Sequence, residues 1–277
     1  QGLGELYIST TVENRIIRYL DTRIMDMARR NWSKEETIIA LYLYCQIPFS
    51  KISKSNPNII KYANLIDRTP SALALKMCNL ASVDPTLRQN GMNHSSKLDY
   101  AVFDEFYDNW DALVQQAYVI LSKLNQTELF ENYSKSIPLG SDKSAVVKQR
   151  IGQDFFRRSV LASYNMSCCI TGLSNSKLLI ASHIKPWSKS TNEEKTNPCN
   201  GLCLNSFHDS LFDKGYMSLD EDFKIILSSE LRKTEIDMET RDWLFSYEGK
   251  QIQLPHNKVF APNKSFLEFH RDTIFLP

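Results

Sequence analysis

Apolar residues recur every three to four positions as far as Leu124. After a Pro-, Gly- and Ser-containing segment (134–144), that rhythm gives way to short apolar runs separated by turns. A chain patterned this way folds as a helical part followed by a mixed part. Val12, Ile16, Leu20, Ile24 and Met27 predict an amphipathic helix over 12–30. Ser33 with Glu36 forms a capping box that opens a helix through Cys45, stopped by Pro48. Pro57 and Pro70 each suit a first helical turn. Tyr100–Leu124 carries a wide apolar face and predicts one long helix.

Beyond the linker, a helix is expected near 149–163 and a short apolar strand over 178–183. A second strand is expected at 202–204, opened by an Asn200-Gly201 turn, then a short helix near 206–214 ended by Gly215. The fold class is α+β. The expected division is an N-terminal helix (1–30), a helical domain (31–130), a linker (131–148) and a mixed C-terminal domain (149–277).

Within the helical part, residues 57–81 outline helix, tight turn, helix. A second helix from Ser71 to Asn79 matches a helix-turn-helix, which would put Ser71 and Lys76 at DNA. The same outline fits an ordinary helical packing unit.

Charge separates the possible partners. Lys and Arg number 33 against 32 acids, a net charge of +1, so the chain does not coat nucleic acid through bulk charge. Locally, residues 135–189 hold nine basic side chains against two acids, and 190–222 hold two against seven. A basic stretch beside an acidic one suits a phosphate-binding face next to a cation centre; it also suits two solvated surfaces. No apolar run approaches 18 residues, and the charged first 30 residues leave no core for a signal peptide. Six cysteines at 45, 78, 168, 169, 199 and 203 match neither a disulfide framework nor paired zinc motifs. They read as free thiols of a reducing, cytoplasmic compartment, with structural zinc not expected.

Chemistry concentrates after the linker. Asp209 and Asp213 stand one helical turn apart, so both carboxylates face one side. Unpartnered they repel; a hard divalent cation such as Mg²⁺ reverses that sign. Exposed aspartates, one of them a cap, are the alternative. His183 ends the first strand, where it suits either a satisfied core imidazole or a general base.

Three segments now carry a family resemblance. Ala181 to Trp187 (ASHIKPW), Asn197 to Leu202 (NPCNGL) and His208 to Gly215 (HDSLFDKG) together resemble the HNH endonuclease superfamily, its restriction-type branch in particular. Phe156–Leu161, Tyr164, Cys168–Gly172, Phe266–Arg271 and Phe275 resemble the flanks of that domain, so the likeness spans residues 150–277. Trp32-Ser33, Glu35-Glu36 and Arg68–Ala72 resemble helical domains fused to such nucleases.

The resemblance implies a ββα-metal fold and metal-dependent hydrolysis of DNA phosphodiesters, with one Mg²⁺ or Mn²⁺ per site. By it, His183 is the general base, Asn200 fixes the loop and orients His183, and Asp209 and Asp213 bind the metal. Arg157, Arg158 and Lys185 are the phosphate-contact candidates. Many members carry Asp or His directly before the base; this chain has Ser182, which leaves a further ligand to find. His208 is one candidate, although its side chain should point about 100° from that of Asp209. His270 is a spare. The implied role is restriction of foreign or modified duplex DNA, with a homodimer supplying two centres for two strands. Two rivals remain open: a non-catalytic DNA-binding regulator with a degenerate nuclease domain, and a protein–protein adaptor.

Overall fold

A computed structural model describes residues 30–84, 95–124 and 143–277. The helix expected over 12–30 and most of the predicted linker lie outside these residues. The helical part comprises α1 (Lys34–Gln46), α2 (Pro57–Leu65), α3 (Pro70–Val83), α4 (Lys97–Phe106) and α5 (Trp110–Lys123). Next comes the 21-residue α6 (Lys143–Ser163). The mixed part follows as β1 (Leu179–His183), α7 (Asn192–Thr196), β2 (Gly201–Asn205), α8 (Ser206–Asp213), β3 (Met217–Leu219), β4 (Ile225–Leu227), α9 (Ser229–Arg232), α10 (Met238–Phe245) and α11 (Lys264–Thr273).

Local chemistry explains the helix starts. Ser33 and Glu36 cap α1 reciprocally, and Asn56 and Thr69 cap α2 and α3 just ahead of their prolines. The predicted long helix over Tyr100–Leu124 is instead two. Tyr107 closes α4 through a bond to the Phe103 carbonyl, Asp108 takes a left-handed φ of 58°, and α5 restarts at Trp110. An unbroken apolar stripe hides such a break, because both helices bury their faces in one core.

That core does not stop at the helical part. Val147, Ile151 and Phe155 of α6 join α1–α5 in it, with Val259 and Phe260 from the C-terminal region. Phe155 stacks on Tyr42 at 5.4 Å, and Trp110 meets Phe260 at the same distance. Phe156, Val160, Leu161 and Tyr164 belong to a second core built on β1–β4. One helix therefore serves both cores, and residues 143–148, read as the end of a linker, are its first turns. Neighbouring side chains Phe155 and Phe156 face different cores, so a rigid element joins the helical layer to the strands.

β1 and β2 form an antiparallel pair with His183 opposite Gly201 and Ser182 opposite Leu202. β3 and β4 form a separate antiparallel hairpin. Among the described residues, no helix is long and apolar enough to cross a membrane. All six cysteines are free; Cys78 is half-buried and the other five are buried.

The helix-turn-helix reading changes in detail. α3 runs 14 residues, longer than predicted, and Lys76 points inward. Lys76 is 4% exposed and pairs at 2.6 Å with Asp99, itself fully buried. Its ammonium and the Arg68 guanidinium both lie over the Trp32 ring, at 4.8 and 4.6 Å. Arg68 also bonds Glu36 at 2.8 and 3.1 Å. Lys76 is therefore structural and offers no charge to a phosphate, whereas Ser71 stays exposed in the first turn of α3. Breaking one side of a buried pair leaves an uncompensated charge, so Lys76→Met should lower stability by about 3 kcal/mol. Urea denaturation checks this, and the Lys76→Met/Asp99→Asn double variant should recover much of the loss.

Candidate active site

The site assembles where α6 crosses the β1–β2 pair. Gly201 is glycine because of that crossing. A Cβ there would lie 2.4 Å from Val160 Cγ2 and 2.9 Å from Phe156 Cζ, so no larger residue admits the helix. Its backbone is ordinary extended chain (φ −137°), so close approach, not a special turn, explains the Asn200-Gly201 pair.

The same approach lays Phe156 against His183, with ring centres 3.7 Å apart and planes within 10°. Trp187 meets the imidazole edge-on at 5.5 Å. His183 Nε2 lies 3.1 Å from the Lys195 carbonyl oxygen. A carbonyl only accepts, so Nε2 carries the proton and Nδ1 keeps its lone pair. Burial lowers the His183 pKa below its ordinary 6.5, with the carbonyl bond opposing that shift. At neutral pH the ring is uncharged and able to take a proton.

Asn200 holds the loop that holds His183. It is fully buried, and its Oδ1 accepts from the Lys185 amide at 2.8 Å. Its Nδ2 donates to the Glu194 carbonyl at 3.1 Å, and to Ser190 Oγ and the Lys185 carbonyl at 3.3 Å. One side chain thus ties residue 185 to residue 194, directly before the carbonyl that fixes His183. The Thr191–Glu194 capping box of α7 stiffens the same loop. That box is legible in the sequence as Thr191-Asn192-Glu193-Glu194.

Asp209 and Asp213 lie on α8, whose first turn Asn205 caps by accepting from the Phe207 and His208 amides. Asp209 is half-buried and Asp213 exposed. Burial raises the Asp209 pKa and the charge of Asp213 adds to the rise, against a hydrogen bond from Ser182. Ser182, directly before His183, thus touches the first helix carboxylate. Two repelling carboxylates, one of them partly desolvated, suit a hard divalent cation whose remaining positions are water and phosphate. Among the described residues, no three His, Cys, Asp or Glu side chains converge as a larger metal group.

His208 does not join them. It is 1% exposed and enclosed by Phe207, Trp243 and Tyr247 at 5.4–5.6 Å, with Nδ1 on Asn205 Oδ1. Burial takes its pKa down to about 4. The 100° offset along α8 turns it into an aromatic cluster, which corrects its candidacy as a ligand.

His270 is a support. Its Nε2 donates to the Phe212 carbonyl at 3.0 Å, Nδ1 accepts from Ser218, and its ring stacks on Phe212 at 3.8 Å. α11 therefore braces α8 from behind. Gly215 completes the brace: its φ is +77°, and a Cβ would sit 2.1 Å from the Ile274 carbonyl. Burial lowers the His270 pKa to about 4, with the bond to Phe212 opposing. The unfolded chain titrates near 6.5, so it gains a proton that the folded chain refuses. Stability is full above pH 6.5 and falls as pH drops towards 4, by at most about 3 kcal/mol from this group. Denaturation midpoints across pH 4–7 should show that loss, and His270→Gln should flatten it.

The phosphate-contact candidates are all engaged. Arg157 donates to the Leu179 carbonyl at 3.0 Å, Arg158 pairs with Asp154 at 2.9 Å, and Lys185 pairs with Glu194 at 2.7 Å. Arg157 and Arg158 are exposed. Lys185 is half-buried beside Phe269, and its ion pair secures the loop at Glu194.

Residues 168–220 match the HNH endonuclease family model. Among solved structures, a modification-dependent restriction endonuclease, TagI, is similar at 16% identity and a TM-score of 0.31. The alignment spans 44% of this chain and 37% of that one, so well under two thirds of that protein is matched. Comparison with curated proteins finds no significant relative.

Proposed function

We propose that the chain is a divalent-metal-dependent DNA endonuclease of restriction type. The observation that carries this reading is the His183 arrangement: Nε2 is fixed on the Lys195 carbonyl, the pKa is lowered by burial, and Nδ1 is left free as a base. A degenerate domain retained for binding alone has no need of that tautomer lock, nor of two carboxylates on the adjoining helix.

In this reading, His183 Nδ1 takes a proton from the water that attacks phosphorus. Phe156 and Trp187 hold the imidazole plane, and Asn200 positions it through the loop. Asp209 and Asp213 would hold Mg²⁺ or Mn²⁺, which when bound stabilises charge on the phosphate and leaving oxygens. Ser182 orients Asp209. Arg157 and Arg158 contact the flanking backbone, and Ser71 is the remaining candidate contact on the helical layer. The biological role in this reading is cytoplasmic restriction of foreign or modified duplex DNA, with two copies acting on two strands.

Asp209→Asn should weaken Mn²⁺ binding at least about tenfold, because it removes one of few protein charges. Calorimetry of the full chain with Mn²⁺ checks it. Unchanged affinity would place the metal elsewhere.

A further inference from the structure

Behind the His183 loop lies a cleft of about 350 Å³, walled by α5, α6, α7 and Trp187. Its volume is within the range of about 300–1,000 Å³ typical of small-ligand sites. Asp111 and Gln115 come from α5, Gln149 from α6 and Asn192 from α7. Gly152 forms part of the wall, where a Cβ would meet Thr196 Cγ2 at 2.9 Å, so α6 and α7 pack without filling the space. Trp187 supplies an aromatic ring, with the Lys195 ammonium 5.1 Å from its centre.

The lining selects a ligand class. Three amides and a carboxyl offer paired donors and acceptors of the kind that read base edges, and the indole offers a stacking surface. Lys148 and Lys195 supply positive charge at the same cleft for a phosphate. Burial, and then the charge of Glu193, raise the Asp111 pKa, against hydrogen bonds from Gln115 and Thr196. We propose that this cleft binds one unstacked nucleobase, stacked against Trp187 and read by Gln115, Gln149 and Asn192.

The cleft shares two parts with the site described above. Lys195 presents its side chain to the cleft and its carbonyl to His183. Trp187 lines the cleft and touches the imidazole edge. A base seated there therefore settles both supports of His183, which makes the cleft a specificity site. This part of the inference rests on the nuclease reading. The base can come from the substrate strand itself or from a free mononucleotide.

Two arms on the full chain separate these sources. In the first, deoxynucleoside 5′-monophosphates are titrated against tryptophan fluorescence; the expected quench saturates and disappears in Trp187→Phe. In the second, duplexes carry 2-aminopurine at successive positions around the cut. The expected result is a severalfold fluorescence rise at one position, lost in Gln149→Ala together with at least tenfold slower cleavage. Gln149 is exposed, so that variant keeps the fold. A quench without any duplex signal assigns the cleft to free nucleotides. Absence of both signals overturns the proposal. Normal cutting by Gln149→Ala with no 2-aminopurine response leaves the nuclease and removes strand reading by the cleft. If the wild-type chain neither binds nor cuts DNA, the nuclease reading fails and the mononucleotide arm alone decides the cleft.

Discussion

His183→Ala should slow DNA cleavage by on the order of 10²–10⁴-fold while leaving DNA affinity unchanged, because a general base acts only in the chemical step. The substitution removes the ring between Phe156 and Trp187, so a modest loss of stability accompanies it. The pH profile adds a second readout. The wild-type imidazole titrates below 6.5, so kcat/KM should fall only as pH drops beneath that value and stay flat through neutrality. Single-turnover cleavage from pH 5 to 8 checks both points. A variant that cuts at the wild-type rate would remove His183 from the chemistry.

Asn200→Ala should be nearly as damaging by a different route. It deletes the four hydrogen bonds of a fully buried side chain and strands the Lys185 amide, at a cost of about 2–3 kcal/mol. The Lys195 carbonyl that fixes His183 follows directly after the released segment. We therefore expect kcat to fall about 10–100-fold, with KM for DNA little changed, the signature of a misplaced base. Asn200→Asp separates positioning from mere space filling. It keeps the acceptor for Lys185 but loses the donor to the Glu194 carbonyl, so it should not rescue the rate. Stability by thermal melting and rates by single-turnover assay decide the matter. A stable Asn200→Ala enzyme with full kcat would refute the positioning role.

Much of this was legible in the sequence wherever chemistry is local. Capping boxes, proline-led helix starts and the short α8 follow from neighbouring residues, and the spacing of Asp209 and Asp213 puts both on one face of that helix. Contacts between distant segments were not legible. The Tyr100–Leu124 stripe concealed the break at Asp108 because apolar periodicity reports burial and not continuity. Lys76 looked available because a lone lysine on a short helix is usually solvated; its partner Asp99 lies 23 positions away. Gly201 looked like a turn glycine and is a contact glycine, a distinction that only the position of α6 reveals. The partner of His183 is a backbone carbonyl, which no residue type announces. His208 could be set aside from its helical angle alone, but its aromatic enclosure comes from α10, some 35 residues later.

The central claim is that β1, β2 and α8 build a working phosphodiester-cleaving centre. The most direct measurement is digestion of modified and unmodified plasmid duplexes by the full chain, with Mg²⁺ or with EDTA, followed by sequencing of the ends. The expected result is cleavage in Mg²⁺, none in EDTA, and loss of cleavage in both His183→Ala and Asp209→Asn. Equal cleavage by wild type and the folded His183→Ala variant, or none by the wild type with Mg²⁺ or Mn²⁺ on any duplex, would contradict it.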